Sequence, residues 1–191
     1  MNIALIIGIG FVLVVFAIIS YFMRFYNSVK KSALRVEEAF SGVDTYLEER
    51  FDLLTKQAST VKEEARTEVD LQTEVTKIRS NYEVAKTISE KIDAAHHIER
   101  LLPLFQATRE NYPNTKFNEG FRQMQRAILN IEDHISAARR NYNTSVRQHN
   151  ELIVVFPANV IAGMFNFSAY PMFEATKEKR EDIDLDEIWA K

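Results

Sequence analysis

The sequence predicts an all-α protein. An N-terminal transmembrane helix continues into an elongated antiparallel bundle of three long helices, with a short helix at the C-terminal end. Three observations carry this. Ile3 to Met23 is an uncharged apolar run. Turn residues are scarce: the 191 residues hold five glycines and four prolines, and neither type occurs between Gly42 and Pro103. Apolar residues then recur at helical spacing along most of the remaining chain. A β-rich fold needs turn residues at short intervals, and this chain does not supply them.

The apolar run, IALIIGIGFVLVVFAIISYFM, is long enough to cross the ~30 Å hydrocarbon core as a helix. In lipid the backbone has to satisfy its own hydrogen bonds, which a helix does. Tyr21, Phe25 and Tyr26 fall where aromatic side chains favour the headgroup level. No basic segment precedes Ile3, and no small-residue cleavage site follows the run, so a retained anchor is expected rather than a signal peptide. Arg24, Lys30, Lys31 and Arg35 follow the span. They predict an outside N-terminus and a cytoplasmic helical domain.

After the anchor, Val29, Ala33, Val36, Phe40, Val43, Leu47, Phe51, Leu54, Ala58, Val61 and Ala65 recur every ~3.6 residues. Glu37, Glu38, Glu48, Glu49, Lys56 and Lys62 lie between them. This is one amphipathic face, with no helix stop separating it from the span. Thr67, with Asp70 three residues on, is the best helix start in the turn that follows. A second face runs through Leu71, Val75, Ile78, Tyr82, Ala85, Ile88, Ile92, Ala95, Ile98 and Leu102, and Pro103 is expected to kink or restart it. Asn111-Tyr112-Pro113-Asn114 reads as a loop. The third face alternates spacings of three and four from Phe121 through Met124, Ile128, Ile131, Ile135, Ala138, Tyr142, Ser145, His149 and Leu152 to Phe156. That is the coiled-coil period. Three such faces predict an up-down-up order.

Pro157 ends the third face. Ala158 to Met164 is expected to form the short helix, and Phe165, Phe167, Tyr170, Met172 and Phe173 to cap the bundle. The organisation read from the sequence is an anchor over residues 1–24, a bundle domain over 25–174 and a charged tail over 175–191. In the tail, Ile183, Leu185, Ile188 and Trp189 make a weak docking patch.

The chemistry is mostly exclusion. The net charge of −3 and the lack of aromatic-basic interleaving argue against nucleic acid. The chain has no cysteine, which removes disulfides, thiolate nucleophiles and thiolate zinc sites. His96 and His97 are adjacent, so their rings diverge by about 100° on a helix and do not share a metal. His134 and His149 lie too far apart on one helix to cooperate. His149, on the seam, reads as a hydrogen-bonded core histidine. The Glu-x-x-His pairs of a di-iron bundle do not occur, nor does a phosphate loop or nucleophile elbow. The sequence therefore offers no catalytic, cofactor-binding or metal-ligating set and no small-molecule substrate.

One set of motifs does resemble a known family. Arg50-Phe51-Asp52-Leu53-Leu54 lies on the first face. Tyr112-Pro113-Asn114-Thr115-Lys116 and Phe121-Arg122-Gln123-Met124-Gln125 come later, followed by Glu132 and Ala138-Arg139-Arg140-Asn141-Tyr142-Asn143. Val146, Asn150, Phe156-Pro157, Asn159, Phe165-Asn166-Phe167 and Phe173-Glu174 complete it. Together they resemble the LemA family of bacterial membrane proteins over nearly all of residues 1–174. Thr55-Lys56 stands where that family usually has Pro-Asn, and Thr115 and Phe117 replace a leucine and a small residue. The resemblance implies a long-helix bundle on one membrane anchor and supplies no activity. Some relatives shape or organise membranes, an analogy at the level of the fold.

The function expected is that of a single-pass membrane-anchored structural or interaction protein. It would touch the lipid bilayer through residues 3–23 and self-associate or organise other membrane proteins. A regulatory adaptor of a membrane protease or signalling complex is the alternative, with an enzyme of unfamiliar site behind it. Arg139, Arg140, Phe165, Phe167, Tyr170 and Phe173 are the expected interaction surface. The bland reading of Arg139 and Arg140 is that they flank the seam and bridge to Asp44, Glu48, Asp52 or Glu132.

Overall fold

A computed structural model describes residues 3–65, 71–103 and 119–174. Among these the chain is helical, with no strand. The helices are α1 (Ile3–Ala65), α2 (Leu71–Val84), α3 (Ile88–Glu99), α4 (Glu119–Val154) and α5 (Ala158–Met164). The expected helix start at Thr67, the Asn111–Asn114 loop and the C-terminal tail with its docking patch lie outside the described residues.

α1 is continuous from the apolar run into the amphipathic face, as the lack of a stop signal predicts. In the run the side chains project outward: Phe11 is 69% exposed, Phe16 68% and Val12 64%. Its most apolar window has a mean hydropathy of 2.7 and buries none of its residues against protein. From Phe25 onward the pattern changes. Val29, Val36, Val43, Leu47 and Leu54 are fully buried, so one stripe of the same helix becomes core.

The second face is not one helix. It breaks at Ala85–Thr87 into α2 and α3. Thr87 is extended (φ −117°, ψ 153°) and caps α3. Its hydroxyl accepts the Glu90 amide at 3.2 Å, and the Glu90 carboxylate accepts the amides of Lys86 and Thr87 at 2.7 and 3.1 Å. This is a capping box, and it satisfies amides that a helix start leaves without partners. Thr87-x-x-Glu90 is its sequence signature, hidden inside an unbroken apolar periodicity. α3 ends at Glu99, before Pro103.

The chain divides into two compact units, Met1–Val43 with Ala137–Pro171, and Asp44–Ser136 with Met172–Lys191. In the second unit α1 and α2 run antiparallel: Asp52 meets Arg79, while the earlier Asp44 meets the later Tyr82. α4 is also antiparallel to α1. Tyr46 stacks on His134 and Arg50 pairs with Glu132 in this unit, and in the first unit Ser32 meets His149 and Phe40 meets Tyr142. The order is therefore not up-down-up, because α4 runs in the same sense as α2. Between them come α3 and residues 104–118, and the latter lie outside the described residues.

The α4 seam follows the expected heptads with a drift. Ile131, Ile135, Tyr142 and His149 are buried, but Val146 and Ile153 take core places beside half-buried Ser145 and Leu152. A straight helix drifts relative to a heptad repeat, which brings neighbouring positions inward toward its end. Phe156, expected at the end of the seam, lies beyond α4 and is 78% exposed.

Candidate functional site

Two polar arrangements stand out, one in each unit. In the second unit, polar side chains from α1, α2, α3 and α4 interrupt the apolar core. Arg50 is fully buried, and its Nε lies 2.8 Å from Oε1 of the half-buried Glu132. Lys91 Nζ reaches both oxygens of Asp44 at 2.8 Å and sits 4.9 Å from the centre of the Tyr82 ring. The Tyr82 hydroxyl donates to the same carboxylate. Burial, then the Asp44 carboxylate, holds the Tyr82 hydroxyl far above the usual tyrosine range, so it stays a neutral donor. Arg79 bridges Asp52 at 2.6 Å and Glu83 at 2.9 Å. Asp44, Asp52 and Glu132 thus meet Lys91, Arg79 and Arg50 respectively.

A shallow groove of about 480 Å³ lies at the α2–α3 break, lined by Ile78, Asn81, Lys86, Glu90, Asp93 and His97 among others. Its acids do not make a metal site: Glu90 is committed to the capping box. No group of three His, Asp or Glu residues suited to a metal exists among the described residues. His96 faces Glu99 at 3.4 Å instead. The grouping is structural chemistry, and no nucleophile with an adjacent base opens onto the groove.

In the first unit the residues after α5 form an extended strap along α1 and α4. Asn150 clamps it by two hydrogen bonds of 3.0 Å, donating from Nδ2 to the Tyr170 carbonyl and accepting the Tyr170 amide at Oδ1. Tyr142 donates to the Pro171 carbonyl at 2.7 Å. His149 is 1% exposed, with Nδ1 2.8 Å from the Ser32 hydroxyl and Nε2 3.3 Å from the Ser168 carbonyl. The Ser168 carbonyl can only accept, so that contact calls for Nε2–H, while the one proton of the Ser32 hydroxyl is shared between Nδ1 and the Val29 carbonyl, to which it donates at 2.8 Å. Burial lowers the His149 pKa below its ordinary value, against the smaller raising effect of the Ser168 carbonyl. Ser32 and His149 look like a catalytic pair on paper. Both are buried, and the pair is closed off by the strap. It is a core polar contact, as expected for His149.

The expected interaction surface therefore divides. Arg140 is exposed and Arg139 half-buried. Phe165 is 48% exposed, while Phe167 is half-buried, and both rings lie against Tyr26 at 5.1 and 5.7 Å. Tyr170 is half-buried against His149. Phe173 is only 7% exposed and is core, in the second unit with the His96 ring 6.3 Å away. The sequence predicts that the aromatics cap the bundle end. Instead Phe165 to Pro171 runs along the helix surfaces, because side chains of α4 bind the peptide groups that the strap leaves outside any helix. Spacing alone does not single out Asn150 or Ser32. Asn150 is marked only as one of the family-motif residues, and the sequence signal of Ser32 is no more than a polar residue beside an apolar seam.

The fold is that of an all-helical protein whose long apolar N-terminal helix fits membrane association. The chain belongs to the LemA family, whose match covers residues 39–186. It is similar to the protein LemA of Metamycoplasma hominis, at 25% identity over 165 residues, covering 85% of this chain and 74% of the relative. The LemA family is not a known enzyme family.

Proposed function

We propose that the chain is a single-pass membrane protein whose helical domain, on the cytoplasmic side, self-associates or organises partner proteins. The observation that carries this reading is the change of pattern within α1. Its apolar N-terminal part buries nothing in the protein, and the same helix then contributes a buried stripe from Phe25 onward. A helix that is apolar all round is stable only in lipid or deep inside protein. The basic residues after the span support the orientation. A shallow notch at Gly8, Ile9, Val12 and Leu13 gives a second membrane helix room to approach. Confinement to two dimensions raises the effective concentration of such chains.

Chemical crosslinking in intact membranes at near-native expression tests the role. Crosslinks between copies, or to other membrane proteins, are expected. A chain that stays monomeric in membranes and captures no protein would contradict it. Protease added to intact cells is expected to spare the helical domain, and digestion there would reverse the orientation.

A further inference from the structure

The first unit carries an apolar surface that the anchored reading does not use. The stretch from Leu152 to Phe173 contains no charged residue. α5 turns Ala158, Ile161 and Ala162 inward, onto Phe22, Phe25 and Val29 of α1 and Ile153 of α4. What remains outside is also apolar: Val154 is 69% exposed, Val155 60%, Phe156 78%, Val160 55% and Met164 67%. Apolar residues scattered singly over a surface are ordinary, but a cluster of this kind at one chain reversal marks a contact.

Its position says what the contact is. α4 runs antiparallel to α1, with Ser32 opposite His149 and Phe40 opposite Tyr142. That register brings Val154, the last residue of α4, level with Asn27 and Ser28. The turn that follows lies closer still to Met23, where the apolar run of α1 ends. The packing of α5 on Phe22 and Phe25 gives the same level independently. Tyr26 and Phe165 meet here edge to face, and Lys30 Nζ lies 6.0 Å from the Tyr26 ring and 5.6 Å from the Phe167 ring. Aromatic rings beside lysine and arginine stems are what the headgroup region favours. Arg24, Lys30 and Lys31 place positive charge at that level, suited to anionic headgroups.

We propose that the reversal from Val154 to Met164 is a second membrane contact, which inserts its exposed apolar side chains into the bilayer interface beside the N-terminal span. The occupant of the surface is lipid rather than protein, because the patch is continuous with the end of the span and lies at its depth. The proposal rests on the anchored reading of α1. It makes the protein grip one leaflet over a wider footprint than a single helix does, as interfacial segments do.

The absence of cysteine allows a clean test on the full chain. Single variants Phe156→Cys and Met164→Cys carry a nitroxide or an environment-sensitive dye, in vesicles of phosphatidylcholine and phosphatidylglycerol. Leu13→Cys reports the span. Gly42→Cys, exposed on the same unit with free space at its Cβ, reports water. The expected result is that labels at residues 156 and 164 favour oxygen over a water-soluble nickel relaxant and blue-shift on vesicle binding, while Gly42→Cys does neither. Labels at 156 and 164 as wet as at 42, with the Leu13 label dry, would overturn the proposal and leave the anchor standing. A wet Leu13 label would overturn both. Spin–spin broadening between copies at 156 with no response to the lipid-phase relaxant would assign the patch to a second chain and overturn the proposal.

Discussion

Asn150 holds Tyr170 by both atoms of its peptide environment, with amide and carbonyl each 3.0 Å from the Asn150 carboxamide. One side chain thus does for the strap what a neighbouring strand does in a sheet. Asn150→Ala removes both hydrogen bonds and is expected to destabilise the first unit by about 1–3 kcal/mol. Amide hydrogen exchange at residues 168–171 should rise well before exchange in α1. Uniform change across both segments would show that the clamp is not local. Asn150→Asp keeps the acceptor but turns a carboxylate oxygen toward the Tyr170 carbonyl, so it should not rescue the strap.

Arg50 and Glu132 make a second test. Removing the acid leaves a guanidinium buried without this partner, and such losses are large in a core. Glu132 is itself 31% exposed at its side chain, so water recovers part of the loss. Glu132→Leu is expected to lower stability by about 2–3 kcal/mol. The double variant Arg50→Met, Glu132→Leu should lose less than Glu132→Leu alone. Thermal or urea unfolding of the native protein, the two single variants Arg50→Met and Glu132→Leu, and the double variant measures this, and additive losses would show that the two side chains are not coupled.

His149 gives stability a pH dependence. Its pKa in the folded chain is lowered from the ordinary 6.5 by burial. Between the two values the unfolded chain binds more protons than the folded one, so stability is full above about 6.5 and falls on acidification toward the folded value. His149→Gln should flatten the urea-midpoint profile in that window. A profile that stays as steep would assign the titration to another group.

The capping box at the α2–α3 break is a local feature. Thr87→Ala is expected to cost about 1 kcal/mol and to increase exchange at the amides of Lys86, Thr87 and Glu90. The Glu90 carboxylate is held below its usual range by the Lys86 amide first and the Thr87 amide second. Loss of the cap should therefore return the Glu90 titration, followed by NMR, toward that of an ordinary glutamate.

Much of the fold is legible in the sequence, and the parts that are not have physical reasons. Burial at Val29, Val36, Val43, Leu47 and Leu54 follows from apolar periodicity alone. The break at Thr87 does not, since Ala85, Ile88 and Ile92 keep helical spacing across it and only the cap signature marks the interruption. Three apolar faces joined by short turns predict an up-down-up order, which α4 does not follow. Apolar faces carry no information about direction, and the pairings of Ser32 with His149 and Arg50 with Glu132 set it. Arg50, Gln57, Ser32 and His149 are buried polar residues. Periodicity finds His149 on its seam and passes over the other three, because a polar residue in a helical pattern is ordinarily assigned to the solvent face. Phe173 belongs to an aromatic cluster in the sequence, Phe165 to Phe173, for which the same holds. Composition shows a cluster, but not which member faces inward.

In the proposed function α1 is a retained membrane span continuous with the folded domain. Alkaline carbonate extraction of cell membranes, followed by detergent release and intact mass measurement of the full-length protein, tests it most directly. The chain is expected to stay in the membrane through carbonate, to enter solution only with detergent, and to carry Ile3 to Met23 in its mass. Release by carbonate, or recovery of a soluble chain lacking that segment, would contradict it.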